Sequence, residues 1–370
     1  MKKIYLITFL FLTTISQAQI VNIPDVNFKN ALIAEGVDTN NDGEIQVSEA
    51  ESVSGVGVYN RNISSLEGIQ SFTNIEVLYC YSNQLTSLDV TQNPKLVTLF
   101  CDTNQLTSLD VSQNPKLETL SAKFNQLTSI DVSQNPNLEW LIFSLNQLTS
   151  IDVTQKPNLI GLIGTSNQLT NIDVSQNPNL VWLGVGDNQL KSIDVTQNPN
   201  LKRFYCYENQ ISSVDVSNNS ELERLLVNNN QLTELNTRNN GNIYRMMAHN
   251  NPDLNCIQVE DVENAYIRAG LCPGFWSWCK DASAIFSENC SLSTQDFNQI
   301  SITLYPNPTQ DILNIDSQEP VDSVRIYSIN GNLVKEASNS FISVSELPSG
   351  LYFAQINIGG NSLIKKFIKS

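Results

Sequence analysis

A 21-residue period organises most of this chain. The segment NQLTSLDV begins at Asn83 and returns with its leading asparagine at Asn104, Asn125, Asn146, Asn167, Asn188, Asn209 and Asn230. Units of equal length predict a repeat architecture in which each unit buries its apolar face against its neighbours. The inward-facing apolar positions of one unit are Leu85, Leu88, Val90, Leu96, Leu99 and Cys101.

Each unit predicts one short strand and no long helix. The segment between Val90 and Leu96 carries Gln-Asn-Pro in its middle, and proline there removes a backbone donor and ends helical geometry. We therefore expect short extended or single-turn pieces on the convex side. The strands should form a sheet with a spacing of about 4.8 Å and a length of about 40 Å. The predicted fold class is mainly β, a solenoid with little helix.

The pattern LxxLxxxxNxL, for example from Leu96 to Leu106, resembles the leucine-rich repeat. The resemblance covers residues 53–254, with a degenerate first unit that is one residue longer. It implies that the asparagine of each unit binds the backbone of neighbouring coils. The turn loses its Asn or Pro at Lys156, Ser220 and Gly241, so a regular coil is less strongly predicted there.

Alternation along each strand predicts three outward columns on the concave sheet. The first is Val77, Thr98, Thr119, Trp140, Gly161, Trp182, Arg203, Arg224 and Arg245. The second is Tyr79, Phe100, Ser121, Ile142, Ile163, Gly184, Tyr205, Leu226 and Met247. The third is Tyr81, Asp102, Lys123, Ser144, Thr165, Gly186, Tyr207, Asn228 and His249.

These columns vary while the positions around them repeat. Trp, Tyr and Arg dominate protein interfaces, and aromatic faces also stack on sugars. The sequence therefore predicts a ligand-binding surface at Trp140, Trp182, Arg203, Tyr205, Tyr207, Arg224 and Arg245. The alternative is that they are ordinary strand-forming residues on an exposed sheet.

Two further columns have structural interpretations. Cys80, Cys101 and Cys206 share an inward column with apolar residues, which favours small buried hydrophobes over reactive thiols. A column of aspartates predicts acceptors for backbone N–H groups in the following turns, with a cation-binding ladder as the alternative. Its members are Asp89, Asp110, Asp131, Asp152, Asp173, Asp194 and Asp215.

Residues 38–49, DTNNDGEIQVSE, fit the twelve-residue EF-hand calcium loop. The predicted ligands are the side chains of Asp38, Asn40, Asp42 and Glu49, a water at Gln46, and the carbonyl of Glu44, with Gly43 at the sharp turn. Helices are expected at 25–35 and from about Ser48. We expect a structural Ca²⁺ in an N-terminal cap, residues 19–52; the alternative is a metal-free turn.

The segment 255–296 leaves the repeat and contains Cys256, Cys272, Cys279 and Cys290. Four cysteines in a short segment of an exported chain predict disulfides. Three pairings are possible, and we favour Cys256–Cys290 with Cys272–Cys279, which would close a C-terminal cap. A zinc knuckle is the alternative.

Lys2 and Lys3 are followed by an apolar run from Ile4 to about Ile15 and by Ser16-Gln17-Ala18, which predicts a cleaved signal peptide at residues 1–18. The apolar run is shorter than a membrane span requires, so we expect no transmembrane segment in the mature chain. An N-terminal membrane anchor is the alternative.

Residues 297–370 show short alternating stretches bounded by Pro, Gly and Asn, which predict a small β-sandwich. The block resembles the C-terminal sorting domain of the type IX (Por) secretion system of Bacteroidota. The resemblance rests on Tyr305, Pro306, Asn307, Pro308, Thr309, Asp311, Leu313, Gly331, Leu347, Gly350, Tyr352, Lys365, Lys366 and Phe367. It implies export through that secretion machinery and location outside the cell or on the outer surface of a Gram-negative bacterium. A carbohydrate-binding or adhesive sandwich is the alternative.

Composition narrows the function. The 370 residues include 37 acidic and 21 basic side chains, for a net charge of -16, which argues against a nucleic-acid partner. The single histidine, His249, excludes multi-histidine zinc sites. No GxSxG, HExxH or P-loop pattern is present.

The whole chain resembles the internalin-like leucine-rich repeat surface proteins of Bacteroidota. We therefore expect a non-enzymatic recognition protein, a scaffold or adaptor that binds a protein or glycan through the concave face. A structural surface-layer component and a secreted hydrolase are the alternatives.

Overall fold

The structure, a computed structural model, describes residues 19–269, 277–290, 302–317, 320–358 and 361–370. The predicted signal peptide, residues 1–18, lies outside this part of the chain. Two compact units divide between Glu288 and Asn289. Within the described ranges, no helix has the length and hydropathy of a membrane span.

The N-terminal cap begins with helix α1, Val26–Ala34, one residue shorter at each end than predicted. Asp25 caps α1 by accepting the Asn27 and Phe28 N–H groups on one carboxylate oxygen. Its other oxygen accepts the Ser64 N–H and hydroxyl, which join the cap to the first coil. The helix buries Phe28, Ala31 and Leu32. A single turn, α2 at Val47–Ala50, ends the calcium-loop sequence.

The repeats form an 11-stranded parallel sheet, called here the long sheet. Its strands are β1 (Gly55–Gly57), β2 (Val77–Tyr79), β3 (Thr98–Phe100), β4 (Thr119–Ser121), β5 (Trp140–Ile142), β6 (Gly161–Ile163), β7 (Trp182–Gly184), β8 (Arg203–Tyr205), β9 (Arg224–Leu226), β11 (Arg245–Met247) and β13 (Trp278–Cys279). From β2 to β11 each residue pairs with the residue 21 positions later, as Val77 does with Thr98. The predicted mainly β solenoid is confirmed.

The opposite side of the solenoid has little regular structure. A short 3₁₀ turn covers Ile69–Ser71, and a three-stranded sheet forms near the C-terminal end from β10 (Leu235–Asn236), β12 (Cys256–Gln258) and β14 (Ile285–Ser287). Helix α3, Val262–Arg268, packs beside β14. The absence of long convex helices in the described coils agrees with the Gln-Asn-Pro turns.

The predicted inward columns are buried in one continuous core. Leu85, Val90, Leu96, Leu99 and Cys101 are all fully buried. Cys80, Cys101 and Cys206 are free and buried, and burial raises the pKa of each thiol. They are unreactive at neutral pH because the thiolate is the nucleophile.

Two asparagine ladders, the first partly buried and the second fully buried, hold neighbouring coils together. In the first, Asn104 accepts the Leu85 N–H and donates to the Cys80 and Cys101 carbonyls. In the second, Asn135 donates to Val111 O and Asn114 O, both at 2.9 Å. These bonds satisfy backbone groups that the short strands leave without ladder partners.

Lys156 replaces the asparagine in one coil of the second ladder. Its side chain stays buried, and Nζ donates to Ser133 O and Gln155 O. Burial lowers the pKa of Lys156, while Asp152 and Asp131 act in the opposite direction. The 21-residue register continues across this coil and across those containing Ser220 and Gly241.

Asn135→Ala is expected to destabilise the folded unit by about 1–3 kcal/mol, because two buried carbonyls lose their donor. Asn137→Ala is the matched control, since exposed Asn137 donates only to Pro115 O. Urea unfolding of both variants measures the difference. Equal losses of stability would refute the structural role of the second ladder.

The C-terminal unit contains two antiparallel sheets, which confirms the predicted small β domain. One contains β15 (Ile302–Tyr305), β16 (Ile312–Ser317) and β19 (Phe341–Ser343). The other contains β17 (Ser323–Ser328), β18 (Leu333–Ala337), β20 (Gly350–Ile358) and β21 (Asn361–Lys369). Their shared core includes Leu313, Val324, Ile326, Ile356 and Phe367.

The Tyr305–Thr309 motif fastens the first sheet's loop to the chain end. Asn307 accepts the Ile368 N–H at 2.9 Å, and the Thr309 N–H donates to Ile368 O at the same distance. The motif residues thus hold the last strand, β21, in place.

Candidate recognition surface

The outer face of the long sheet carries the predicted ligand-binding residues in one contiguous area. Trp140, Trp182, Arg203, Tyr205, Arg224 and Arg245 lie on strands β5, β7, β8, β9 and β11 and are called here the aromatic–arginine patch. The middle residue of each strand is buried in the core, so the flanking residues must point outward. All six patch side chains are half-buried.

The aromatic rings of the patch contact each other edge to face. Trp140 and Trp182 have ring centroids 6.4 Å apart at an angle of 88°, although one strand separates them. Gly161 on that intervening strand makes this contact possible, because a Cβ there would overlap the Trp140 ring. Trp182 in turn meets Tyr205 at 6.1 Å and 73°. Such pairs stabilise the arrangement beyond simple area burial.

Aromatic groups also position two of the guanidinium groups. Arg203 lies over the Trp182 ring, 5.0 Å from its centroid. Arg224 donates through Nε to the Tyr244 hydroxyl and lies 5.2 Å from the Tyr244 ring. The hydrogen bonds that Arg224 donates to Tyr244 and Tyr205 raise the pKa of Arg224. In the part of the chain that is described, neither Arg203 nor Arg224 forms an ion pair.

Arg245 and Tyr207 extend the surface in two directions. Arg245 pairs in register with Arg224 and points Nη2 at Met247 Sδ, 3.6 Å away. The Tyr207 ring covers Gly186, where a Cβ would overlap it. Burial raises the pKa of Tyr207, and the nearby charges of Glu208 and Asp187 add to that effect. The surface is therefore basic at the three arginines of the first column and acidic at Asp187 and Glu208, beyond the third column.

The prediction that every position of the three columns faces solvent is wrong at several places. The buried exceptions are Asp102, Ser121, Ser144, Gly161, Gly184, Gly186, Asn228 and Met247. Asp102 shows the reason, because its carboxylate accepts the Ser121 hydroxyl at 2.5 Å and the Lys123 N–H at 2.9 Å from the next coil. Burial raises the pKa of Asp102 despite these hydrogen bonds.

Strand alternation missed an apolar pair in the turn after the strands. Phe124 and Leu145 occupy the same position of consecutive coils, are 53% and 40% exposed, and have φ values of 54° and 57°. Left-handed backbone is unfavourable for bulky residues. The equivalent positions of other coils hold residues such as Ser82, Thr103 and Asp187. Two large apolar residues among these polar ones were the sequence signal for an exposed apolar pair.

Tyr244 was also missed, although it holds Arg224. It immediately precedes strand β11 and lies outside the three columns. Its only sequence signal is an aromatic residue in a position where the two preceding coils have Lys202 and Glu223.

The calcium-loop sequence forms a turn stabilised by its own side chains. Asp38 accepts the Gly43 N–H at 2.9 Å, and Gly43 has a φ of 81°, as the predicted sharp turn requires. Glu49 accepts the Thr39 and Gln46 N–H groups at 2.7 and 3.0 Å. Burial would raise the pKa of Glu49, but these hydrogen bonds lower it. Across the described ranges, no three His, Cys, Asp or Glu side chains converge as metal ligands.

The remaining predicted loop ligands lie in the same turn. Asn40 Oδ1 accepts the Asp42 N–H, and Asp42 Oδ1 accepts the Glu44 N–H, both at 2.9 Å. The Glu44 carboxylate pairs with Lys29 at 2.6 Å. The side-chain oxygens of Asp38, Asn40 and Asp42 therefore lie near one another in one loop.

The aspartate column forms the predicted turn hydrogen bonds. Asp110, Asp131 and Asp152 each accept the N–H two residues later at 2.8 to 2.9 Å. Hydrogen bonds from the backbone N–H and the hydroxyl of the Ser or Thr two residues later lower the pKa of the aspartates; the N–H is the larger cause for Asp110, Asp131, Asp152 and Asp173, and the Thr hydroxyl for Asp89 and Asp194.

Acidification is expected to remove stability through this column. A carboxyl with a lowered pKa in the folded chain binds fewer protons than in the unfolded chain, so its contribution is present above the ordinary pKa of 3.8 and lost as pH falls through the folded value. The melting temperature should fall at such pH. Asp→Asn changes at 110, 131, 152 and 173 should flatten that dependence, and an unchanged slope would contradict this assignment.

The three cysteines of the C-terminal cap that lie in the described residues, Cys256, Cys279 and Cys290, are oxidised as predicted. Cys256 and Cys290 form a disulfide, and Cys279 is also disulfide-bonded. Cys272, the predicted partner of Cys279, lies outside the described residues. Disulfide sulfurs are not thiolate ligands, so the zinc-knuckle alternative is wrong. Trp278 closes the core end and donates through Nε1 to Ile243 O at 3.1 Å.

Comparison with known proteins supports the predictions for the repeat region and for the C-terminal domain. Residues 303–370 match the family model of the secretion system C-terminal sorting domain. The functional domain of InlJ from Listeria monocytogenes is similar in structure, with 20% identity, a TM-score of 0.53, and coverage of 95% of this chain and 98% of that one. Internalin C2 from L. monocytogenes has 26% identity and a TM-score of 0.52, covering 56% of this chain and 96% of its own. A search of curated protein sequences gave no match.

The sorting-domain match marks a protein that the type IX secretion machinery of Bacteroidota exports to the outer cell surface or the medium. The structural matches and the 21-residue register agree with the repeat pattern. The chain thus consists of an internalin-like leucine-rich repeat solenoid followed by a type IX secretion sorting domain.

Proposed function

We propose that this protein is a non-enzymatic recognition protein whose aromatic–arginine patch binds an extracellular protein or glycan. The observation that carries the proposal is that Arg203 and Arg224 are positioned by aromatic groups rather than by carboxylates. Their charges remain available to a ligand while their side chains are already ordered, which lowers the entropic cost of binding.

A secreted hydrolase would need a nucleophile and a base held together, or paired carboxylates. The single histidine does not supply that base, because His249 Nδ1 lies 3.1 Å from Sγ of the disulfide-bonded Cys279. The buried Asp102 carboxylate is occupied by Ser121 and Lys123. These contacts favour binding over catalysis.

Replacing Trp182, Arg203 and Arg224 together by alanine is expected to abolish ligand binding and leave folding intact, because these side chains lie outside the core. The matched control is Val77→Ala, Thr98→Ala and Thr119→Ala in the same column at the other end of the sheet. A glycan array and a pull-down with extracellular proteins, using the chain without residues 1–18, provide the readout. A ligand held equally by both variants would move the site elsewhere, and no ligand in either assay would favour a structural surface-layer component.

We also propose that the loop 38–49 binds a structural Ca²⁺. Asp38, Asn40, Asp42 and Glu49 would supply side-chain oxygens and Glu44 its carbonyl, which is the oxygen-rich donor set that Ca²⁺ prefers. The gathered oxygens of the first three residues and the left-handed Gly43 support this assignment. Bound calcium would hold the N-terminal cap over the end of the core.

Calcium added after chelator treatment is expected to raise the melting temperature, because a ligand of the folded state stabilises it by mass action. Glu49→Gln should remove the calcium-dependent rise. Glu44→Gln should retain it, since only the Glu44 carbonyl is a predicted ligand. A wild-type melting temperature that is independent of calcium would exclude the site.

A further inference from the structure

We propose that the ligand of the aromatic–arginine patch is a linear polyuronate, a 1,4-linked acidic polysaccharide lying across strands β5 to β11 along the solenoid axis. This inference rests on the proposed recognition function and specifies the chemistry of its ligand. Three features of the patch carry it, namely the backbone spacing of its arginines, a small notch beside an unpaired donor, and the sign of the charge around it.

The arginines form a ladder with the spacing of the sheet. Arg203 pairs with Arg224, and Arg224 pairs with Arg245, on three adjacent strands. Adjacent strands are about 4.8 Å apart, so the first and third arginines are separated by about 9.6 Å at their backbones. The length of one pyranose unit in a 1,4-linked chain is close to one strand spacing. A chain of carboxylate-bearing rings that lies along this column therefore passes the three arginines in turn.

An acidic peptide fits this ladder less well. An extended chain places side chains of the same face about 6.6 Å apart, between the single and double strand spacings. Successive carboxylates of such a peptide would fall out of step with the backbone positions of Arg203, Arg224 and Arg245. The spacing therefore favours the polysaccharide.

The floor beside the arginines has a notch with a hydrogen-bond donor. Trp182 Nε1 is buried and has no acceptor among the residues described. A Cβ on Gly184 would lie 3.6 Å from Trp182 Nε1 and near Ile163 and Thr165. The space beside the buried Gly184 is thus large enough for one methyl-sized group, and a sugar hydroxyl that entered it would give the indole N–H an acceptor. A buried donor left without an acceptor costs free energy, which the ligand would recover.

Aromatic rings flank the notch on both sides along the sheet. Trp140 and Tyr205 contact Trp182 edge to face, so the exposed ring surfaces follow the same axis as the arginines. The apolar C–H face of a pyranose ring packs on such surfaces while its carboxylate reaches the guanidinium column. A polyuronate combines both groups in every unit.

Charge around the patch restricts where a polyanion can lie. The protein has a net charge of -16, which repels polyanions from most of its surface. Lys202 adds a positive charge beside Arg203, although Glu223 lies 3.8 Å from it. Asp187 and Glu208 lie near Tyr207 at the opposite border. A polyanion is therefore directed to the arginine column, and its binding must weaken as salt screens the charges.

The test measures binding of short polygalacturonate oligomers to the full chain without residues 1–18 by titration calorimetry. The methyl-esterified oligomer keeps the sugar backbone and removes the charge, and poly-glutamate supplies the charge without the sugar. We expect binding of the acidic oligomer to be at least tenfold tighter than binding of either comparison probe, and to weaken in high salt.

Two variants connect such binding to the patch. Arg203→Ala with Arg224→Ala should abolish it, whereas Arg61→Ala with Arg238→Ala, two exposed arginines elsewhere, should not. Gly184→Ala should weaken binding by about tenfold by filling the notch. The fold should tolerate this change, because the new Cβ meets its neighbours at ordinary contact distances of 3.5 to 3.7 Å.

The outcomes separate this inference from the proposed function. Equal or tighter binding of poly-glutamate, or no binding of the acidic oligomer, overturns the polyuronate assignment. If a protein or neutral glycan from the pull-down or array then binds, and this binding depends on Arg203 and Arg224, the recognition function stands without the polyuronate assignment. If the arginine variants affect no ligand at all, both fail.

Discussion

Every other feature of the solenoid depends on the hydrogen bonding of its coil turns by buried asparagines. Strands of three residues make too few ladder bonds to satisfy the backbone of a 21-residue coil. Asn104 and its equivalents donate to turn carbonyls that have no backbone donor among the described residues, and Asn135 and its equivalents donate to buried turn carbonyls on the opposite side. Each asparagine amide binds the preceding coil. A change in the length of one unit would therefore break hydrogen bonds in that coil and in its neighbour.

This constraint explains where variation is permitted. Positions that face the core or bind the backbone are occupied almost identically in each coil, whereas the outer face of the long sheet is held mainly by its backbone pairing. Apart from residues such as Asp102, which accepts the Lys123 N–H, side chains there can change without loss of a backbone partner. The glycines at 161, 184 and 186 show how such freedom is used, since each omits a side chain next to a large aromatic ring.

The sequence predicted the features that repeat, and it failed where neighbours of different coils interact. The register, the inward columns and the aspartate turns follow from local rules that act identically in every unit. The burial of Asp102 depends on Ser121 and Lys123 of the next coil, and the position of Arg224 depends on Tyr244. Such contacts are set by individual side-chain conformations, which periodicity does not specify. The exposure of Phe124 was not predicted, because the alternation of inward and outward side chains applies to strands and not to turns.

The closed C-terminal end of the solenoid determines which part of the molecule opens first. In a stack where each coil contacts only its neighbours, local unfolding proceeds inward from whichever end is held less firmly. Trp278 covers the core end beyond β11, and the Cys256–Cys290 bond ties that region covalently. The N-terminal end is held without a covalent link, by the hydrogen bonds of Asp25 and the buried side chains of α1. Fraying therefore begins far from Arg224, and a solenoid that has lost its first coils still presents an intact contact surface to the medium.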